Sequence, residues 1–325
     1  MPVTSVTKDP HTLTMTVIAD FPVPVERLWE AYADPRQIER FWGPVEWPAT
    51  FLRHDMTPGG RSHYVMTGPS GERSSGFWEF ASVDPGRSFA VVDGFANEDG
   101  TPNETMPHMR MTFTFESTPT GSRLTDVTTF PSLEAMEQVI SMGMEEGMRS
   151  AMSQIDAVVA DLASFAAGRD TEVQILSDTT IRVSRIIRGT AAQVWRAHHD
   201  PQLLQRWLLG PDGWTMPVCD VPAGVGDSYR YEWESHQAGE GRFGFEGEVL
   251  EQIENVREVT TERMIGTDFP GTVNEMTLTP HPHGTLLVIV ITYASAQQRD
   301  TVLATGMTDG METSYVRLEG ILADA

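Results

Sequence analysis

Two periodicities alternate along the chain and divide it into strand-like and helix-like stretches. Residues 227–233 alternate: Tyr229, Tyr231 and Trp233 fall on one face, Arg230 and Glu232 on the other, as in a half-buried strand. Met109, Met111, Phe113 and Phe115 alternate in the same way with Arg110, Thr112 and Thr114. Turn signals separate such stretches at Pro58-Gly59-Gly60, Asp84-Pro85-Gly86, Thr120-Gly121 and residues 281–284. Elsewhere apolar residues recur every three or four positions. Met144, Met148, Met152, Ile155 and Val159, and later Met307, Met311, Tyr315, Leu318 and Leu322, predict two long amphipathic helices. Thr190 with Gln193 reads as a capping box. Asp34-Pro35 and Asp200-Pro201 each offer an N-cap followed by a first-turn proline.

These elements come twice in one order. Residues 25–41 line up with residues 191–207, so that Trp29 meets Trp195, Asp34-Pro35 meets Asp200-Pro201 and Arg40 meets Arg206. Residues 143–148 line up with 306–311 at nearly the same offset. The chain is therefore read as a tandem duplication, with domains over 1–166 and 172–325 and a short polar joint at 166–170. Each half is two short helices, about five or six antiparallel strands and one long helix, and a sheet with one apolar face needs that helix as cover. The expected fold class is α+β, two helix-grip units, each able to fold alone.

Composition narrows the partners. The chain has 325 residues and a formal net charge of −23, which argues against nucleic acid and anionic membrane surfaces, since both select basic footprints. Cys219 is the only cysteine, so no intramolecular disulfide forms and no cysteine-rich metal site exists. The first fifteen residues are polar, and no run of about 18 apolar residues occurs. A soluble cytoplasmic protein is expected.

Several of these segments together resemble a known family. They are the helix pair around Asp34-Pro35 leading into Phe41-Trp42-Gly43-Pro44, the Pro58-Gly59-Gly60-Arg61 strand opening, residues 83–87, and the glycine-marked terminal helix. The second half repeats them at Asp200-Pro201, Gly210-Pro211, Gly224 and Gly226, residues 247–257 and residues 306–311. The pattern resembles the START-like (SRPBCC) superfamily, in the branch related to the C-terminal domain of the Hsp90 ATPase activator. That resemblance implies a curved sheet closed by the long helix around a deep, mostly apolar cavity. Its members include hydrophobic-ligand carriers, aromatic polyketide cyclases, natural-product resistance proteins and co-chaperones. The chain departs from the pattern at Met148 and Met311, where such domains often carry Trp, and at Gly224-Val225-Gly226, which interrupts the second glycine pair.

Candidate ligand-binding residues follow from bulk and position. In the first half they are Trp42, Trp47, Tyr64 and Trp78, with Met111 and Phe113 on the strands and Met144 and Met148 on the helix. In the second they are Trp214, Tyr229, Tyr231 and Trp233, with Met307 and Met311. These aromatics are either the wall of an open cavity or plain core, and the methionines either adaptable pocket walls or gap fillers. The glycine pairs Gly143/Gly147 and Gly306/Gly310, read as i, i+4 within a helix, either pack closely on the sheet or leave room for a ligand. His63 and Arg110 are the weak catalytic candidates, and with Ser62 they favour the first half as the active copy. His54-Asp55 offers a possible acid–base pair, His281 and His283 lack a third metal ligand, His198-His199 read as unremarkable, and Cys219 reads as a buried small residue. Residues 239–244 fit G-x-G-x-x-G by letters, but a strand follows where a dinucleotide site needs a helix. No cofactor or metal is expected. Three functions remain open: binding or sequestration of a hydrophobic, aromatic small molecule, a cofactor-free cyclase or hydrolase acting inside the cavity, and an Hsp90-activator-like module that binds a protein partner.

Overall fold

A computed structural model describes residues 2–160, 170–209, 212–236 and 241–323. The chain divides into two compact units, Met1–Ala163 and Ser164–Ala325. Residues 166–169 of the expected joint, Gly210-Pro211 and the first two positions of the 239–244 motif lie outside the described residues.

In the first unit β1 (Val3–Asp9) and β2 (Thr14–Phe21) lead into α1 (Val25–Ala33) and α2 (Pro35–Ile38). Six strands follow: β3 (Ala49–His54), β4 (Arg61–Thr67), β5 (Arg73–Asp84), β6 (Ser88–Phe95), β7 (Met109–Thr118) and β8 (Gly121–Thr129). The unit closes with α3 (Leu133–Ser141) and α4 (Met144–Ala160). The strands form one antiparallel sheet in the order β1-β2-β8-β7-β6-β5-β4-β3.

The second unit repeats every element. It runs β9 (Glu172–Ile175), β10 (Thr180–Ile187), α5 (Ala191–His199), α6 (Pro201–Trp207), β11 (Trp214–Asp220), β12 (Ser228–Ser235), β13 (Arg242–Ile253), β14 (Arg257–Met264), β15 (Thr272–His281), β16 (Gly284–Thr292), α7 (Ala296–Leu303) and α8 (Met307–Ala323). Its sheet order, β11-β12-β13-β14-β15-β16-β10-β9, is the first unit's order read from the opposite edge.

The local signals form as read. Thr190 and Gln193 make a reciprocal capping box at the start of α5. Asp34 accepts from the Arg36 amide at 2.9 Å and Asp200 from the Gln202 amide at 3.0 Å, and Pro35 and Pro201 occupy the first turns behind them. Two expectations need correcting. Each sheet has two strands before its helix pair as well as six after it. Thr14–Phe21 alternates cleanly, with Met15, Val17, Ala19 and Phe21 buried, and pairs with β8 at the far side of the sheet, a long-range closure that no local pattern specifies. Second, Gly143 and Gly306 do not sit inside a helix. They carry φ of +91° and +79° in the turns that break α3 from α4 and α7 from α8, a conformation that glycine adopts without Cβ strain.

The terminal helices cover the sheets. Met148, Met152, Ile155 and Val159 of α4 join Val17, Phe89 and Phe113 in one apolar cluster. In the second unit Leu318 and Tyr315 of α8 join Leu278 and Leu287, and a buried Arg185 on β10 bonds Glu312 at 2.9 Å and Glu319 at 3.0 Å. Among the described residues no helix is long and apolar enough to cross a membrane.

Candidate functional site

Each unit holds a cavity between the inner face of its sheet and its terminal helix. The first measures about 320 Å³ and the second about 590 Å³.

Trp42, Tyr64, Met111, Met144 and Met148 line the first cavity as expected. Trp47, Trp78 and Phe113 do not. Trp78 and Phe113 are fully buried. Phe113 stacks on Phe89 with ring centres 4.5 Å apart and meets Trp78 at 5.9 Å, so both rings fill the core instead of facing open space. Trp47 lies against Gly68, where a Cβ would come within 2.8 Å of its ring. The weak catalytic candidates are also displaced. Arg110 is exposed, because it alternates with the inward-facing Met109 and Met111. His63 likewise alternates with inward-facing Ser62 and Tyr64 and packs by Gly100. His54 is buried, its Nδ1 2.8 Å from Ser62 Oγ and its Nε2 2.9 Å from the Tyr32 carbonyl. Asp55 accepts from Thr57 Oγ1 at 2.8 Å, and neither His54 nor Asp55 is among the residues that line this cavity.

The carboxyl group that does reach this cavity, among the described residues, is that of Asp93. Its Oδ1 accepts from Trp78 Nε1 at 2.9 Å and from Tyr64 Oη at 3.4 Å, and burial pushes its carboxyl up to about 6. Asp126, from β8, is completely buried. Its Oδ2 accepts from Thr128 Oγ1 at 3.2 Å, its Oδ1 accepts no hydrogen bond, and burial holds its carboxyl well above the ordinary range.

All six second-half candidates, Trp214, Tyr229, Tyr231, Trp233, Met307 and Met311, line the second cavity. Phe243 and Phe245 complete an aromatic wall over β12 and β13. Trp233 stacks on Phe243 at 5.2 Å, Trp214 meets Phe243 edge-on at 5.1 Å, and Tyr229 and Tyr231 lie 5.1 Å apart. The Trp233 indole N–H donates to the Leu208 carbonyl at 2.7 Å, which fixes the ring.

Polar groups also line this cavity: His198, His199, Glu258, Glu262 and Asn274. The His199 ring stacks on Trp195 at 4.1 Å. Its Nδ1 lies 2.8 Å from the Trp195 carbonyl and its Nε2 2.9 Å from Glu258 Oε1. A carbonyl and a carboxylate both require a donor, so the ring is an imidazolium paired with a carboxylate. Burial works against both charges, but their mutual hydrogen bond outweighs it, raising the His199 pKa and lowering that of Glu258. His198, whose Nδ1 donates to the Val194 carbonyl at 2.8 Å, is pushed down to about 4 by burial and stays neutral. Burial raises the Glu262 carboxyl against the pull of the neighbouring Asn274 amide, while the Tyr229 hydroxyl donates to the Thr261 carbonyl at 2.9 Å. The sequence hid these carboxylates, because Glu and Asp on an alternating strand read as its solvent face.

The two cavities differ by an exchange of bulk. A β-bulge after Phe80 in β5 and one after Val249 in β13 set these strands in register, so Trp78 corresponds to Gly247, Gly76 to Phe245 and Ser74 to Phe243. Their cross-strand partners are Ser62, Tyr64 and Met66 in the first unit and Tyr229, Tyr231 and Trp233 in the second. Opposite partners share a face, so Trp78 lies beside Ser62 in one unit where Tyr229 lies beside Gly247 in the other. The same register aligns Asp93 with Glu262 and Phe89 with Glu258.

Gly147 and Gly310 line the respective cavities, and a Cβ at either would meet no atom within 4 Å. Close packing is therefore not their role; they leave space. Cys219 is partly buried and its thiol is pushed up to about 11, an unreactive state. Among the described residues no group of three or more His, Cys, Asp or Glu side chains is placed to hold a metal.

The family model for activator of Hsp90 ATPase homolog 1-like protein matches residues 22–160 and again residues 188–323. The chain belongs to this family. It carries the Hsp90-activator-like domain twice, in agreement with the START-like resemblance and the duplication read from the sequence. Similar solved structures include protein Ms6760 from Mycobacterium smegmatis, 50% identical over 48% of this chain and 96% of that one, with a TM-score of 0.46. A protein from Arthrobacter aurescens is 43% identical over 49% of this chain and 92% of its own, with a TM-score of 0.47. The AHSA1 protein from Silicibacter pomeroyi is 22% identical over 45% and 97%, with a TM-score of 0.38. No functionally curated protein matches significantly. Hsp90-activator-like folds of this type commonly bind hydrophobic ligands.

Proposed function

We propose that this chain is a cytoplasmic binding protein for a hydrophobic, aromatic small molecule, with a sequestering or resistance role, and that the second cavity is the principal site. Residues 1–166 and 172–325 act in this reading as separate domains. The observation that carries it is the second cavity itself: about 590 Å³ of space, walled by stacked aromatic rings and supplied with a few convergent polar groups, the usual form of a small-molecule site. The first unit, which the sequence favoured, loses that preference because His63 and Arg110 point away from its smaller cavity.

A thermal-shift screen of the full chain against aromatic and polyketide-like compounds, with each hit recovered and analysed, tests the proposal. A ligand at 100 times its Kd stabilises by about 2.7 kcal/mol. Compound recovered unchanged is the expected result, and no shift across the panel would count against a small-molecule role and bring a protein partner forward.

One observation favours a second reading, a cofactor-free enzyme. The His199–Glu258 pair and Glu262, whose carboxyl burial raises, stand in one cavity, and general acid–base chemistry uses such tuned neighbours. Recovery of converted product in the same screen selects this reading.

A further inference from the structure

The second cavity has an uneven charge inventory. Among the described residues its lining holds two carboxylates, Glu258 and Glu262, and no arginine or lysine. Glu258 has its counter-ion in His199 at 2.9 Å. Glu262 forms no ion pair among the described residues; the polar groups beside it, the Asn274 amide and the Tyr229 hydroxyl, are neutral, and that hydroxyl donates to the Thr261 carbonyl at 2.9 Å. A carboxylate taken from water costs free energy until a cation meets it, and no cation of this wall does so.

The first unit repeats the arrangement. Asp93, at the position in register with Glu262, faces its cavity with the Trp78 N–H and the Tyr64 O–H as donors, and that lining also holds no arginine or lysine. The two halves have exchanged tryptophan for glycine and phenylalanine for glutamate around this point, yet both keep an acid there. What surrounds the acid differs: in the second unit it is a wall of six aromatic rings, and the faces of such rings attract cations. An anionic ligand would meet two carboxylates. A neutral one would bury Glu262 further without compensation.

Resting on the small-molecule reading above, we propose that the second cavity takes an organic cation, a protonated or quaternary amine on an apolar body, with its charge between Glu262 and the rings of β12 and β13. The net charge of −23 draws such a ligand toward the protein at low ionic strength.

The test titrates the full chain with benzyltrimethylammonium and with neopentylbenzene, its uncharged carbon isostere, following tryptophan fluorescence. The cation is expected to bind roughly tenfold tighter. Glu262→Gln, which keeps the shape and hydrogen bonding, is expected to erase that preference while still binding neopentylbenzene. Asp93→Asn is expected to leave it intact.

Equal or tighter binding of neopentylbenzene to the unsubstituted chain overturns the cation assignment and leaves a neutral hydrophobic site standing. A preference that survives Glu262→Gln, or that disappears in Asp93→Asn instead, removes Glu262 as the counter-ion. Binding of neither probe overturns the assignment and counts against the small-molecule reading as well.

Discussion

The two units share one topology and use their aromatic residues differently. In the first, Trp78, Phe89 and Phe113 pack against one another beneath the sheet face, and the apolar residues form one large cluster. In the second, Gly247, Glu258 and Met276 stand at the corresponding places, the apolar core is split into smaller clusters, and the rings of Tyr231, Trp233 and Phe243 are turned to open space. Ring count alone therefore does not locate a binding site. What matters is what fills the middle of the inner face: Trp78, Phe89 and Phe113 occupy it in the first unit, and Gly247, Glu258 and Met276 leave it open in the second.

The strongest way to break this contrast is truncation of one ring in each unit. Phe113→Ala removes a fully buried ring from a packed stack and is expected to destabilise the first unit by about 3–5 kcal/mol. Tyr231→Ala removes a ring that already faces a cavity, with an expected cost of about 1 kcal/mol or less. Urea unfolding of the full chain, followed by circular dichroism, compares them. Equal losses would mean that the second cavity is filled when no ligand is present.

Acid sharpens the contrast through opposite signs. Asp93 and Glu30 of the first unit have folded pKa values near 6 and 7, raised by burial, and buried Asp126 is raised too. A folded state that keeps its protons longer is more stable at low pH, and that stability is lost as pH climbs from about 4 toward 7. For Asp93 the shift from 3.8 to about 6 is worth on the order of 3 kcal/mol. His198 of the second unit, lowered to about 4 by burial, works the other way: its unfolded form takes up a proton first, so its contribution grows as pH rises from about 4 to 6.5. Glu262 opposes His198 within that unit. Melting curves across this range are expected to show the first unit losing stability with rising pH, with a shallower slope in Asp93→Asn. A first-unit transition independent of pH would show that these carboxyls are hydrated.

Ligand binding gives a smaller effect and tests which copy is active. Met148 and Met311 stand at equivalent places one residue after Gly147 and Gly310, and both line cavities. Met311→Trp is expected to weaken binding about tenfold, or 1.4 kcal/mol, with the fold retained. Met148→Trp is expected to leave that affinity unchanged. The reverse pattern, read by the same fluorescence titration, would move the proposed binding site to the first unit.

The fold was readable because its signals are local and duplicated. Period-two strands, the capping box at Thr190, the Asp-Pro helix starts and the repeat itself required only neighbours in sequence. The site was readable where apolar alternation points inward, as in Tyr229, Tyr231 and Trp233, and was lost where the same alternation carries acids. Asp93, Glu258 and Glu262 look like solvent-facing positions until the terminal helix is placed over them. Trp78 and Phe113 failed in the opposite sense: an inward ring was expected to line space, and the ring across the sheet had already filled it. His199 became meaningful only through Glu258, 59 residues away, a separation that no motif spans.

The smallest effects separate Gly147 and Gly310, inside the terminal helices, from Gly143 and Gly306, in the turns before them. Gly147 and Gly310 lie within α4 and α8, and a Cβ at either would have no atom within 4 Å, so alanine meets no clash and removes glycine's helix penalty. Gly147→Ala and Gly310→Ala are each expected to stabilise the free protein by about 0.5–1 kcal/mol. Gly143 and Gly306, at φ of +91° and +79°, are expected to lose about 1 kcal/mol on the same substitution, since a Cβ disfavours left-handed backbone. The ligand reading adds a condition that stability alone does not: Gly310→Ala should raise the melting temperature and lower ligand affinity together, because the methyl enters space that the bound molecule uses. If Gly310→Ala stabilises the protein with affinity unchanged, the gap at Gly310 is unused, and the bound molecule must lie instead against the aromatic wall of β12 and β13.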